Sequence, residues 1–208
     1  MTARTLAITA GLSYLVIFFA AIFANFLMLE SLLQAPLETI QQQPMLVRWG
    51  TLAFMITVVF DVVVAWALYE LYPTQLWSKL STLFRMMHAA IMGVAIFALP
   101  LALKATTAEE VLHQVDVFNT IWLIGLFFFG IHLILLGRII GRPRIIAFFL
   151  VVAGSMYMID TGAHFLMADY KDYASIFLAL VAIPSIVGEM SFSIWLLLRG
   201  GKVPKKQA

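Results

Sequence analysis

Residues 49–71 read Trp49-Gly-Thr-Leu-Ala-Phe-Met-Ile-Thr-Val-Val-Phe-Asp61-Val-Val-Val-Ala-Trp-Ala-Leu-Tyr-Glu-Leu71. Apart from Asp61 and the terminal Glu70, the stretch carries no charge. Wound as a helix at ~1.5 Å per residue, it covers the ~30 Å of bilayer hydrocarbon. It lacks the alternation of a barrel strand, which needs only about 10 residues to cross. Five further runs of this kind fall near 6–29, 82–103, 115–137, 145–167 and 174–198. Apolar residues make up 63% of the chain and charged residues 12%. A soluble domain has roughly half apolar and a quarter charged. The expected fold is an all-α integral membrane protein, one domain over 1–208, with a single bundle of six transmembrane helices.

Little chain is left outside the bilayer. The longest connection, roughly 30–48, is too short for a soluble domain, so chemistry or binding is expected inside the bundle, at its mouths or against a partner. The first run is too long for a cleavable signal peptide, and no small-x-small site follows it. There is no cysteine, which excludes disulfides, thiol redox chemistry, cysteine-ligated iron–sulfur clusters and covalent haem attachment. No phosphate loop appears, and no basic patch suited to nucleic acid.

Basic residues are sorted by side. Arg4, Lys79, Arg85, Arg138, Arg142, Arg144, Arg199, Lys202, Lys205 and Lys206 fall on one side, against Arg48, Lys104 and Lys171 on the other. This bias predicts cytoplasmic N and C termini. The tail from Arg199 reads as a topology signal.

The ionisable residues inside the spans carry the functional information. One at the centre of a membrane helix costs about 2.5–3.5 kcal/mol on insertion scales, and is kept where it faces protein, water or a partner. Helical spacing places Tyr14 with Asn25, Thr57 with Asp61, Arg85 with His88, Gly125 with His132, and Ser185 with Glu189 and Ser193 on shared faces. Depth predicts an inner cluster of Asp61, Arg85, His88, His132 and Glu189. It also predicts a second group of Asp160 and His164, with Tyr157 and Asn119. A buried network that only fixes packing weighs evenly against function for the inner cluster. It is favoured for Asp160 and His164, whose i,i+4 spacing lets them satisfy each other. Pro184, just before Glu189, frees a backbone carbonyl, which opens a hinge or cavity there or is simply tolerated.

Several chemistries fit these residue types. The inner cluster suits small-molecule binding, or proton-coupled transport or sensing. An accessory or assembly subunit of a larger membrane complex would use the same residues for assembly, and a carrier this small would work as a homodimer. A b-type haem between His88 and His132 is an alternative, less favoured because carboxylates lie close by. No metal is expected, since the helical spacings Glu-x-x-His and His-Glu-x-x-His are absent. No catalytic motif stands out, so enzyme activity stays undecided.

Four stretches together resemble a large family of small bacterial membrane proteins catalogued as a domain of unknown function. They are Phe129-Gly-Ile-His-Leu-Ile-Leu-Leu-Gly-Arg138, Arg142-Pro-Arg144, Gly154-x-x-Tyr157-x-x-Asp160, and Pro184-x-x-x-Gly-Glu189 through Trp195-Leu-Leu-Leu-Arg-Gly200. Asp61 and Arg85-x-x-His88 fit it too. The resemblance covers roughly 6–200 and implies six helices in a bacterial inner membrane. It implies no activity, substrate or cofactor.

Overall fold

The computed structural model describes residues 1–201. Among them the chain forms seven helices: α1 (Ala3–Gln34), α2 (Pro36–Gln42), α3 (Pro44–Leu71), α4 (Ser78–Ala102), α5 (Ala108–Ile140), α6 (Arg144–Leu166) and α7 (Tyr170–Leu198). All except the short α2 are long and apolar enough to cross a membrane. Lys202, Lys205 and Lys206 of the basic tail lie outside the described residues.

The helices outrun the apolar stretches. α5 starts at Ala108 rather than near 115, because Thr107 and Glu110 form a reciprocal capping box. Its 33 residues reach ~50 Å, so its ends leave the hydrocarbon. Hydropathy marks what lipid covers, whereas a helix continues until something caps it. The expected 30–48 connection is likewise mostly helical, with Pro36 and Pro44 opening α2 and α3, where the missing N–H has no role.

The six spans pack in chain order as a ring: α1 on α3, then α4, α5, α6 and α7. The end of α7 returns to α1 and closes it. The closure is made by small residues and one arginine. Ser193 Oγ donates to the Gly11 carbonyl at 2.9 Å. A Cβ on Gly11 would lie 2.7 Å from Leu197, and one on Gly200 would lie 2.7 Å from Ala7. Arg4 donates to the carbonyls of Leu196 at 2.9 Å, Gly200 at 3.0 Å and Leu197. Carbonyls at a helix C-terminus lack donors from a following turn, and Arg4 supplies them here from another helix.

Two apolar cores fill the ring. The one nearer the termini includes Ala7, Ala10, Val64, Leu68, Leu133, Leu136, Leu150, Phe192 and Leu196. The other includes Ala24, Met28, Leu32, Phe54, Leu99, Val111 and Phe118, with no residue from α6 or α7. In that far half, α7 leans on α6 and buries only Val181, Pro184 and Ser185 before its widened turn. α5 and α6 approach closely throughout, because Gly130 and Gly154 meet backbone to backbone.

Two π turns bend the ring, at Phe23–Leu29 in α1 and Ile186–Met190 in α7. Each adds a residue to a turn and rotates the face that follows. The first separates Tyr14 from Asn25: Tyr14 is buried, while Asn25 is half-buried and donates to the Ala21 carbonyl at 2.8 Å. The shared face read from their spacing is therefore not realised.

Candidate functional site

Between the two cores lies a polar layer, and Arg85 is its hub. From α4 its guanidinium donates through Nη2 to Asp61 Oδ1 of α3 at 2.5 Å. Through Nη1 it donates to the Tyr14 hydroxyl of α1 at 2.8 Å and lies 3.2 Å from His132 Nε2 of α5. The cation also sits 4.8 Å from the Tyr14 ring centre and 5.2 Å from that of Phe129, within reach of cation–π attraction. Arg85 is 1% exposed and Asp61 4%. At that burial each ion loses several kcal/mol of hydration, and only close pairing with further hydrogen bonds offsets it.

His132 supports the hub. Arg85 has no acceptor atom, so His132 Nε2 accepts and the ring proton lies on Nδ1. Nδ1 is 2.8 Å from Ser81 Oγ and 3.0 Å from the Ser81 carbonyl, both of which can accept its proton. Ser81 Oγ donates to the His132 carbonyl at 3.3 Å. His88 stands against Phe129, with ring centres 4.7 Å apart. Its Nε2 is 3.7 Å from Asp61 Oδ2, an ion-pair distance but too long for a hydrogen bond. Gly125 makes room for this ring, since a Cβ there would lie 3.3 Å from His88 Nδ1.

Beside the hub is a cavity of about 200 Å³ to which all six spans contribute. Asp61, Arg85, His88 and Glu189 line it, with the Tyr14 and Tyr157 side chains and an apolar wall that includes Trp122 and Phe129. Pro184 and the π turn place Glu189 there. The proline cannot donate within the helix, and Ser185 Oγ takes up the loosened turn by donating to the Val181 carbonyl at 2.7 Å. Gly188 then presses α7 against the α6 backbone at Phe149 and Leu150, and the widened turn points Glu189 inward. Among the described residues Glu189 makes no ion pair within 4 Å, and Arg85 Nε and His88 Nδ1 have no hydrogen-bond partner.

The structure thus brings Asp61, Arg85, His88 and Glu189 to one cavity. His132 joins through Arg85 but faces away, toward Ser78, Ser81 and Tyr72. His88 and His132 lie ten and eight residues from their helix ends, ~15 and ~12 Å along the axis, because α4 and α5 extend past the apolar runs. Tyr14 and Ser81 were missed. Tyr14 was read together with Asn25. Ser81 precedes the apolar run that starts at 82, although it lies four residues before Arg85 on the same face.

The second expected group does not assemble. Asp160 is buried and accepts from the Tyr170 hydroxyl at 2.7 Å, not from His164. His164 is exposed, with its ring 4.7 Å from that of Tyr170. Tyr157 turns to the main cavity and packs on Phe129 at 5.6 Å. Asn119 is half-buried and joins neither network among the described residues.

A b-haem does not fit these residues. Phe129 lies against both imidazoles, 4.7 and 5.7 Å away, where the macrocycle would stand. Both nitrogens of His132 are engaged by Ser81 and Arg85, leaving no lone pair for iron.

Known proteins add a fold relationship without an activity. A protein of Archaeoglobus fulgidus described as "Uncharacterized protein" is 29% identical over 161 residues, covering 74% of this chain and 86% of its own. No solved structure matches. The family model that matches spans residues 9–200 and so includes every residue of the Arg85 hub and its cavity; the chain belongs to the family described as Domain of unknown function (DUF4386).

Proposed function

We propose that this chain is a membrane-embedded binding protein whose interior cavity takes a small molecule at Glu189, beside the Asp61–Arg85–His88 set. The observation that carries this reading is the division of labour among the charges. Asp61 and Arg85 neutralise each other, whereas Glu189 faces the same cavity with no cationic side chain within 4 Å among the described residues. A network serving packing alone would leave no such group, because an unpaired carboxylate in a bundle is costly. A cavity of 150 Å³ lined by apolar groups binds a ligand of benzene's size, so about 200 Å³ suits a compact ligand or one end of a longer one. We place the protein in a bacterial inner membrane with both termini cytoplasmic, supported by the Arg and Lys excess at the end that carries the termini.

The absence of cysteine makes the test direct. Single cysteines replace Glu189 and Leu126, which line the cavity, and Leu133, which is fully buried in the core. Each variant, in lipid vesicles, is treated with methyl methanethiosulfonate. The reading predicts rapid modification at 189 and 126 and none at 133. Equal inertness at all three positions overturns it.

A further inference from the structure

The ring is closed at one end only. Near the termini α1 and α7 are joined by Arg4, Gly11, Ser193 and Gly200. Past the π turn of α7 they part, and the far core contains no residue of α7. The cavity lies where they part. Ile17, Phe18 and Ala21 of α1 line one side of it, and Ile186, Glu189 and Met190 of α7 line the other. Ile17, Phe18 and Ala21 are only partly buried, and Ile186 is 52% exposed although it lines the cavity. In a chain surrounded by lipid, such a cleft between two spans faces hydrocarbon.

The charges then select what enters. Asp61 and Arg85 offset each other, and Glu189 is the carboxylate left over in the cavity, so once it gives up its proton the cavity carries one net negative charge. Three of the four N–H groups on Arg85 Nη1 and Nη2 are taken by Tyr14, His132 and Asp61, and the Arg85 charge is offset by Asp61, so an anionic head would compete with Asp61 for Arg85 and be repelled by Glu189. A hydrated inorganic ion does not cross hydrocarbon to reach the mouth. A group that partitions into the bilayer and presents positive charge satisfies both conditions.

We propose that the cavity opens sideways into the bilayer between α1 and α7, and that its ligand is a lipophilic amine whose single protonatable nitrogen is received by Glu189. This rests on the reading of the cavity as a binding site. On binding, the amine nitrogen carries the proton and Glu189 the negative charge, while Ile17, Phe18, Trp122 and Leu126 cover the carbons next to the nitrogen.

The test uses the full chain in phosphatidylcholine vesicles and mass spectrometry of the carboxylates. A carbodiimide adds to a carboxylic acid and leaves a stable acylurea. A hydrophobic carbodiimide is expected to modify Glu189. A cationic, water-soluble carbodiimide is expected to modify only rim carboxylates such as Glu30 and Glu109, which are exposed. N,N-Dimethyloctylamine should slow modification of Glu189 by about tenfold or more, as a desolvated ion pair implies. Its hydrocarbon isostere, in which CH replaces the nitrogen, should not. Ile186→Trp should slow the hydrophobic reagent by narrowing the mouth, while Ile176→Trp, exposed elsewhere on α7, should not. Glu189→Gln supplies the blank. Faster modification of Glu189 from water overturns the lateral route. Equal protection by amine and isostere overturns the ligand class. In either case a cavity already shown by cysteine modification still stands. Failure of both carbodiimides at Glu189, with the cysteine at 189 reactive, overturns the present proposal alone.

Discussion

Replacing Asp61 by Asn keeps the shape of the side chain and removes its charge, which isolates the contribution of the central ion pair. Arg85 is 1% exposed, and Asp61 is its only carboxylate within 4 Å among the described residues. The Tyr14 hydroxyl and His132 Nε2 would remain as acceptors, but neither carries compensating charge. Removing one partner of a buried pair costs about 3–5 kcal/mol. For a chain of this length that lowers the melting temperature by about 6–20 °C. Asp61→Leu combined with Arg85→Met removes both charges and their desolvation cost together. Such replacements are often neutral, although Tyr14 and His132 would lose a donor, at about 1–3 kcal/mol for each buried acceptor left unmet. The double variant should therefore melt above the Arg85→Met and Asp61→Leu single variants. The assay is thermal unfolding in mild detergent, followed by tryptophan fluorescence and helical circular dichroism. Single variants that lose less than about 1 kcal/mol, or a double variant whose loss equals their sum, would refute a buried, mutually dependent pair.

Other consequences follow from the packing. Arg4→Ala removes three hydrogen bonds to the end of α7 and should cost about 1.5–3 kcal/mol in the same unfolding assay; Arg4→Lys, lacking the fork, should recover only part. Gly154→Val places a side chain against the Gly130 backbone, and should lower stability by more than the ~1–3 kcal/mol of ordinary overpacking, whereas Gly162→Ala, which meets nothing within 4 Å, should melt near the wild type. Tyr72 lies just past α3, and burial pushes its phenol up to about 12 from the usual 10. Because the unfolded chain ionises first, stability is full below pH 10 and falls as pH rises toward 12. Phenolate absorbance titrated alongside melting checks this, and Tyr72→Phe should flatten the slope.

The six spans were legible because a bilayer-crossing helix has a length and polarity that few other structures share. The facing of Asp61, Arg85 and His88 was also readable, since α3 and α4 are regular there. Reading failed where the helix is irregular. The π turn in α1 rotated Asn25 off the Tyr14 face, a shift of register that spacing assumes away. Span ends misled as well. Ser81 joins the site because α4 begins at Ser78, below the apolar run. The grouping of Tyr157 with Asp160 failed because Tyr170, ten residues from Asp160, supplies its partner, a tertiary contact that the pattern within one helix does not encode. Glu189 was found by its rarity in a span, but its lack of an ion pair among the described residues depends on how α7 bends and could only come from coordinates.

The arrangement also suggests why the polar layer sits where it does. The far core holds α1 to α5 together, and the near core and the Arg4 clamp hold the termini. The Arg85 hub ties α1, α3, α4 and α5 between them. α7 is left with one half fixed and one half free, and Glu189 lies at the transition.

The most direct measurement is an experimental density map of the protein in lipid nanodiscs, resolved well enough to place side chains. The account predicts the Glu189 carboxylate inside the bundle, in a cavity shared with the Asp61–Arg85 pair and open between α1 and α7. A map in which Glu189 points to lipid, or Arg85 and Asp61 pair with other residues, would contradict it.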